Sequence, residues 1–158
     1  MANTNAASTA DREIATTRLL NAPRELVFKV WTDPEQVVKW WGPNGFTNTI
    51  YEMDVRPGGV WRFMMHGPDG KDYPNRVTYL EVVPPEKLVF LHGADSEEDP
   101  NRFHVTVLFK EKRGQTEISM RMLFDTPEER NRVVEQYHAL EGQQQTMTKL
   151  AEYLELIQ

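Results

Sequence analysis

From Phe46 to Phe124 the apolar residues recur at every second position, and this one pattern leaves few folds open to the chain. Thr49, Tyr51, Met53 and Val55 alternate with more polar neighbours and predict a strand, closed by the turn Arg56-Pro57-Gly58-Gly59. Trp61, Phe63 and Met65 alternate with Arg62, Met64 and His66 in the next strand, and Gly67-Pro68-Asp69-Gly70 turns the chain again. Two more strands are predicted, from Tyr73 to Val83, where Pro84-Pro85 stops it, and from Lys87 to His92. Phe103, Val105, Val107 and Phe109 mark another, and Ile118, Met120, Met122 and Phe124 mark the last. Strands joined by short turns make an antiparallel meander, and its apolar face must be covered by something else.

The cover has to come from outside that stretch. Thr126-Pro127-Glu128-Glu129 is a capping box with proline at the first helical position. Val133, Tyr137, Leu140, Gln144, Met147, Ala151 and Leu154 then draw an apolar stripe down one long helix, with Gly142 as the expected kink or break. Before the meander, Ile14, Thr16, Arg18 and Leu20 predict a first strand, with Arg18 the outlier on its face. Ala22-Pro23 ends it and opens a short helix bearing Leu26, Val27, Val30 and Trp31. Asp33 as N-cap, Pro34 at the first position and Gln36 closing a capping box predict a second short helix. That helix carries Val37, Trp40 and Trp41 and stops at Gly42-Pro43-Asn44-Gly45. The expected architecture is α+β: a curved antiparallel sheet of about six to seven strands around a long C-terminal helix, with two short helices between the first and second strands. Residues 1–10 read as a disordered tail and residues 11–158 as a single domain.

Composition narrows the function classes. The net charge of −6, from 24 acidic and 18 basic residues, offers no basic footprint for nucleic acid or for an anionic membrane surface. With no cysteine, disulfides, thiolate metal sites and cysteine nucleophiles are excluded. The opening MANTNAASTA lacks the basic and apolar segments of a signal peptide, and no apolar run approaches the ~20 residues needed to span a bilayer. A cytoplasmic protein, monomer or homodimer, is expected.

Several blocks of the chain resemble a known family. Ala22-Pro23-Arg24-Glu25-Leu26-Val27-Phe28, Trp31-Thr32-Asp33-Pro34-Glu35 and Trp40-Trp41-Gly42-Pro43 are similar to the opening of the activator-of-heat-shock-protein-90-ATPase homologue family, within the START-like (SRPBCC) superfamily. Asp54-Val55-Arg56-Pro57-Gly58-Gly59 with Trp61-Arg62-Phe63 resembles its second block, and Glu81 with Pro84-Pro85-Glu86 and Leu88 its third. Glu141-Gly142 through Leu150, Tyr153 and Leu154 resembles its closing helix, so the likeness runs over about residues 12–157. It implies the helix-grip fold, with a cavity between sheet and long helix. Many members place tryptophan just after the glycine of the closing helix, where this chain has Gln143. That departure implies a more polar or more open end wall.

Given that fold, one group of side chains becomes a candidate lining: Trp40, Trp41, Trp61, Phe63, Tyr73 and Phe90, with Met53, Met65, Met120 and Met122. Aromatics and flexible thioethers suit flat apolar ligands, and they equally suit an ordinary core. His92 and His104 lie in strands, where each is either an inward polar anchor or a structural or surface residue. Facing is left open, because a one-residue slip inverts a strand. The acidic stretch Asp95 to Asp99 reads as a solvated loop or as a lid at a cavity mouth.

Catalytic motifs are lacking. Ser8, Ser96 and Ser119 sit in no nucleophile elbow, and Gly67 to Lys71 lacks P-loop spacing. Glu135 and His138 make one Glu-x-x-His spacing where a di-iron bundle needs two, so no metal is expected. No cofactor is implied. The leading expectation is therefore a module, rather than an enzyme, that binds a small hydrophobic molecule. Two alternatives stand beside it. One is a cyclase- or hydrolase-type enzyme using polar cavity residues such as His92, His104, Glu81 or Arg121. The other, suggested by the family, is a co-chaperone-like stimulator of a heat-shock ATPase, with a chaperone as partner; co-chaperones of the family carry an extra N-terminal domain.

Overall fold

A computed structural model describes residues 9–95 and 102–158 of the chain. Seven strands form one sheet: β1 (Glu13–Leu20), β2 (Thr47–Met53), β3 (Val60–His66), β4 (Asp72–Val83), β5 (Lys87–Ala94), β6 (Phe103–Lys112) and β7 (Gln115–Leu123). Their order is β1-β7-β6-β5-β4-β3-β2, and every neighbouring pair is antiparallel. The last six strands are a plain meander. Only β1 is out of sequence, beyond β7, so helices α1 (Arg24–Thr32) and α2 (Pro34–Val37) carry the chain from one sheet edge to the other. Two helices close the chain, α3 (Pro127–Tyr137) and α4 (Ala139–Leu156). This is the expected helix-grip arrangement. Among the described residues no helix is long and apolar enough to cross a membrane.

The core sits between the concave face of the sheet and the helices. A run of edge-packed indoles crosses it: Trp31 on Trp40 at 4.9 Å between ring centres, Trp40 on Trp41 at 5.6 Å, and Trp41 on Trp61 at 5.0 Å. Edge-to-face pairs at such spacings add roughly 0.5–1.5 kcal/mol each beyond the area they bury. Trp40 Nε1 donates to Val30 O at 3.1 Å, so this fully buried ring also ties the turn after α2 back to α1.

Several expectations need correction. The face of β2 is the reverse of the one expected: Asn48 and Ile50 turn inward while Thr49 and Tyr51 face out. A bulge then shifts the pairing from Ile50–Phe63 to Glu52–Arg62 and returns Met53 to the core side. Helix α2 ends at Val37, before the tryptophans. Its cap is Asp33, which accepts from Glu35 N at 3.0 Å, whereas Gln36 closes no box and accepts instead from the Tyr153 hydroxyl.

The closing helix breaks at His138, which takes the left-handed conformation (φ 52°, ψ 46°), rather than at Gly142. Restarting the helix there rotates the buried face. Leu140 and Gln144 are exposed, and Gln143, Thr146, Met147, Leu150 and Leu154 point inward. Glu135 and His138 therefore do not share one helix. Finally, Thr9 and Ala10, assigned above to the tail, belong to the fold: Ala10–Arg12 is a 3-10 turn, and Thr9 Oγ1 donates to Glu13 at 2.9 Å. Residues 1–8, and residues 96–101 of the acidic loop, lie outside the described residues.

Candidate functional site

The sheet and the two closing helices do not meet everywhere. Between them lies a cleft of two lobes, an outer one of about 650 Å³ and an inner one of about 220 Å³, sharing Pro43, Met65, His92, Phe103 and Val133 as common wall. Local chemistry explains how the closing helices are placed at the cleft. Thr126 caps α3 by accepting from Glu129 N at 3.0 Å, with Pro127 at the first position, so α3 starts where the sequence placed it. The break at His138 then redirects the chain, and α4, whose Met147, Leu150 and Leu154 pack in the core, is also fastened to the 42–45 loop. Gln145 Oε1 accepts from Asn44 N at 3.0 Å, and Lys149 Nζ donates to Pro43 O at 3.3 Å. Burial lowers the Lys149 ammonium pKa from its ordinary value. Gly42, at φ +100°, lets that loop pass the Met65 methyl, which an added Cβ would meet at 3.0 Å.

The outer lobe is lined by Phe46, Tyr73, Pro74 and Asn75 on the sheet side, and by Glu129, Arg132 and Gln136 on α3. Glu129 and Arg132 are paired to each other, with Nη2 2.6 Å from Oε2, one turn apart at the cleft rim. The inner lobe is lined by Trp41, Met120, Met122, Ala139, Gly142, Gln143 and Thr146 in addition to the shared wall. Apart from His92 it has no ionisable side chain among the described residues.

His92 stands where the two lobes join, with Phe103 at 5.2 Å and Phe63 at 6.0 Å between ring centres. Its Nε2 lies 2.9 Å from Asn75 Oδ1. Because Asn75 Nδ2 donates to Tyr73 O at 2.9 Å, the amide oxygen is the atom turned to the imidazole, and His92 Nε2 must donate. Gln143 is buried at the inner end. Its Oε1 accepts from the Thr16 hydroxyl across the gap to β1, while its Nε2 is buried without an acceptor. Thr146 is satisfied locally, donating to Gly142 O at 2.8 Å. No cluster of His, Asp and Glu among the described residues could hold a metal ion.

The candidate residues divide clearly. The fold brings Trp41, Met65, Tyr73, His92, Met120, Met122 and Gln143 to the walls of the cleft. Trp40, Trp61, Phe63 and Phe90 are fully buried behind those walls as packing, with Trp61 and Phe63 stacked at 4.3 Å. His104 is exposed on the outer face of β6, because Phe103, Val105 and Val107 take the inward positions on either side of it. Phe46, Asn75, Phe103 and the Glu129–Arg132 pair were missed. For Phe103 the signal was present, since it shares the alternation of Val105 and Val107. Nothing local marks Asn75, whose place beside His92 comes from the β4–β5 register. Asp95 is held outside the cleft by Arg62 and Arg76, at 3.0 and 3.1 Å, and Arg62 holds its carboxyl below the ordinary range. The rest of the acidic stretch, read above as a solvated loop or a lid, lies outside the described residues.

Comparison with known proteins agrees with this architecture. The family model described as Activator of Hsp90 ATPase homolog 1-like protein matches residues 21–155. No curated protein matches the chain. Among solved structures, a protein from Mycobacterium smegmatis is 26% identical, with a TM-score of 0.81 over 92% of both chains. One from Chromobacterium violaceum is also 26% identical, with a TM-score of 0.76 over 91% of this chain and 97% of its own. The solution structure of an Arthrobacter aurescens protein shares the fold, at 22% identity and a TM-score of 0.85 over 93% of this chain and 88% of its own.

Proposed function

We propose that this chain, which belongs to the Activator of Hsp90 ATPase homolog 1-like family of the START-like superfamily, binds a small, largely apolar molecule in the cleft between sheet and closing helices. The observation that carries the reading is the cleft itself. It is a concave space of several hundred cubic ångströms, walled by aromatic and thioether side chains with a few placed polar groups, which is the usual make-up of a small-molecule site. Met65, Met120 and Met122 give the wall side chains that re-pack around ligands of different outline. A neutral polarity-sensitive dye, N-phenyl-1-naphthylamine, tests it. Saturable binding of one dye per chain, abolished by filling the inner lobe with Met122→Trp, is expected. Absence of saturable binding, or binding indifferent to that variant, overturns the proposal.

One observation favours a second reading, acid–base chemistry in the same cleft. His92, protonated at Nε2 and oriented by Asn75, is a titratable group half withdrawn from water beside a polar partner. It predicts turnover of some activated ester or enol ether that His92→Gln removes while dye binding persists. Turnover equal in both proteins retires it.

A further inference from the structure

The inner lobe has one polar atom that the protein leaves unanswered. Gln143 is 4% exposed, and its side-chain oxygen is committed to Thr16, yet Nε2 meets no acceptor. A buried donor left this way costs about 1–3 kcal/mol relative to a paired one. No described polar atom lies within hydrogen-bond reach of it, although the Thr146 hydroxyl and the His92 ring line the same lobe. The remaining lining near it is Trp41, Met120, Met122 and Ala139, none of which offers a side-chain acceptor.

Resting on the reading of the cleft as a binding site, we infer that Gln143 selects its ligand: the molecule that fills the inner lobe is neutral, compact and apolar, with one carbonyl-type acceptor at its buried end. Neutrality follows from the walls. Among the described residues the lobe holds no Lys, Arg, Asp or Glu, and its one ionisable side chain, His92, already turns its Nε2 proton to Asn75, so a charge placed there would be poorly compensated. The acceptor follows from Nε2, which no described side chain satisfies and an occupant of the lobe would. Thr16 donates to Oε1 on the β1 side, which leaves Nε2 as the amide atom without a partner at the lobe. A donor-only group such as an ammonium at the same position would face another donor.

A matched pair separates this from simple greasiness: 1-tetralone and tetralin, the same fused bicycle with and without a carbonyl, each displacing N-phenyl-1-naphthylamine. The wild-type chain binds the ketone on the order of tenfold more tightly than the hydrocarbon. Gln143→Leu binds tetralin at least as well as tetralone, and Gln143→Met, of similar length and also without a donor, serves if the leucine variant does not fold. Equal affinities in the wild type overturn the inference and leave the cleft reading standing. So does a ketone preference that survives both substitutions, or dye binding that neither bicycle displaces. If the dye itself does not bind, the cleft reading fails and this inference with it.

Discussion

The adjacent glycines of the β2–β3 turn place two different physical constraints side by side, and replacing each with alanine separates them. At Gly59 an added Cβ would lie 2.0 Å from Asp54 O and 3.0 Å from Arg56 O. Ordinary contact begins at 3.4 Å, so the first of these is short by 1.4 Å (3.4 minus 2.0), and both obstacles are backbone. The turn cannot yield freely, because it is pinned to its surroundings. Gly58 N donates to Tyr79 O at 2.8 Å, Tyr79 N to Gly59 O at 3.0 Å, and Gly59 N to Arg56 O at 2.7 Å. Relieving the clash breaks at least two of these. Overpacking costs about 1–3 kcal/mol and each lost hydrogen bond about 0.5–1.5, so Gly59→Ala should destabilise the chain by about 2–6 kcal/mol.

Gly58 is the contrast. Nothing lies within 4 Å of its would-be Cβ, but φ is +84°, a left-handed conformation that costs an L-residue about 1–2 kcal/mol. Urea unfolding followed by tryptophan fluorescence reads both, since all four indoles are buried. Gly58→Ala should lower the midpoint modestly and Gly59→Ala severely, with unchanged slope. Neither residue lines the cleft, so the dye affinity of Gly58→Ala stays that of the wild type. If Gly58→Ala costs as much as Gly59→Ala, the reasoning from close approach is wrong.

Two further outcomes follow from charge and backbone geometry. The Asp95 carboxyl, held below its ordinary pKa chiefly by Arg62 and also by Arg76, favours the folded state when ionised. That stability is fully present above the unfolded value, about 3.9, and disappears as pH falls through the lowered folded value. Urea titrations at pH 7 and pH 3 should therefore show Asp95→Asn less stable than wild type at the first pH and the gap narrowed at the second; a gap independent of pH refutes the assignment. His138→Gly should raise stability by about 0.5–1 kcal/mol, because glycine takes φ 52° without the left-handed penalty, and thermal unfolding checks the sign.

What the sequence discloses, and what it hides, follows from where each constraint is written. Alternation is local, so the strands, their order and the inward side of β3, β6 and β7 are legible from residues such as Trp61-Arg62-Phe63 and Phe103-His104-Val105. The same rule settles His104, whose neighbours are both inward. It fails in β2 and β4, where bulges at Tyr51 and Leu80 reset the parity without a glycine or proline to announce them. The helix break was misplaced for a related reason. A glycine is the obvious place to break a helix, but Gly142 is kept inside α4, where Pro43 packs 3.6 Å from its would-be Cβ, and His138 takes the left-handed position instead.

The Gln143 amide lies at the far end of this scale. Its meaning depends on Thr16, 127 positions earlier, and on a break five residues before it that rotates the helix face. Read on a continuous helix, the stripe ran through Gln144 and Leu140 and left Gln143 beside it, as a mere replacement for tryptophan. The break moves that polar side chain into the wall of an apolar lobe. A buried amide with one partnered and one unpartnered end is unfavourable for folding alone. Its retention there is understandable if the missing acceptor arrives with a ligand, which is why the selectivity of the cleft, more than its mere capacity to bind, carries the functional argument.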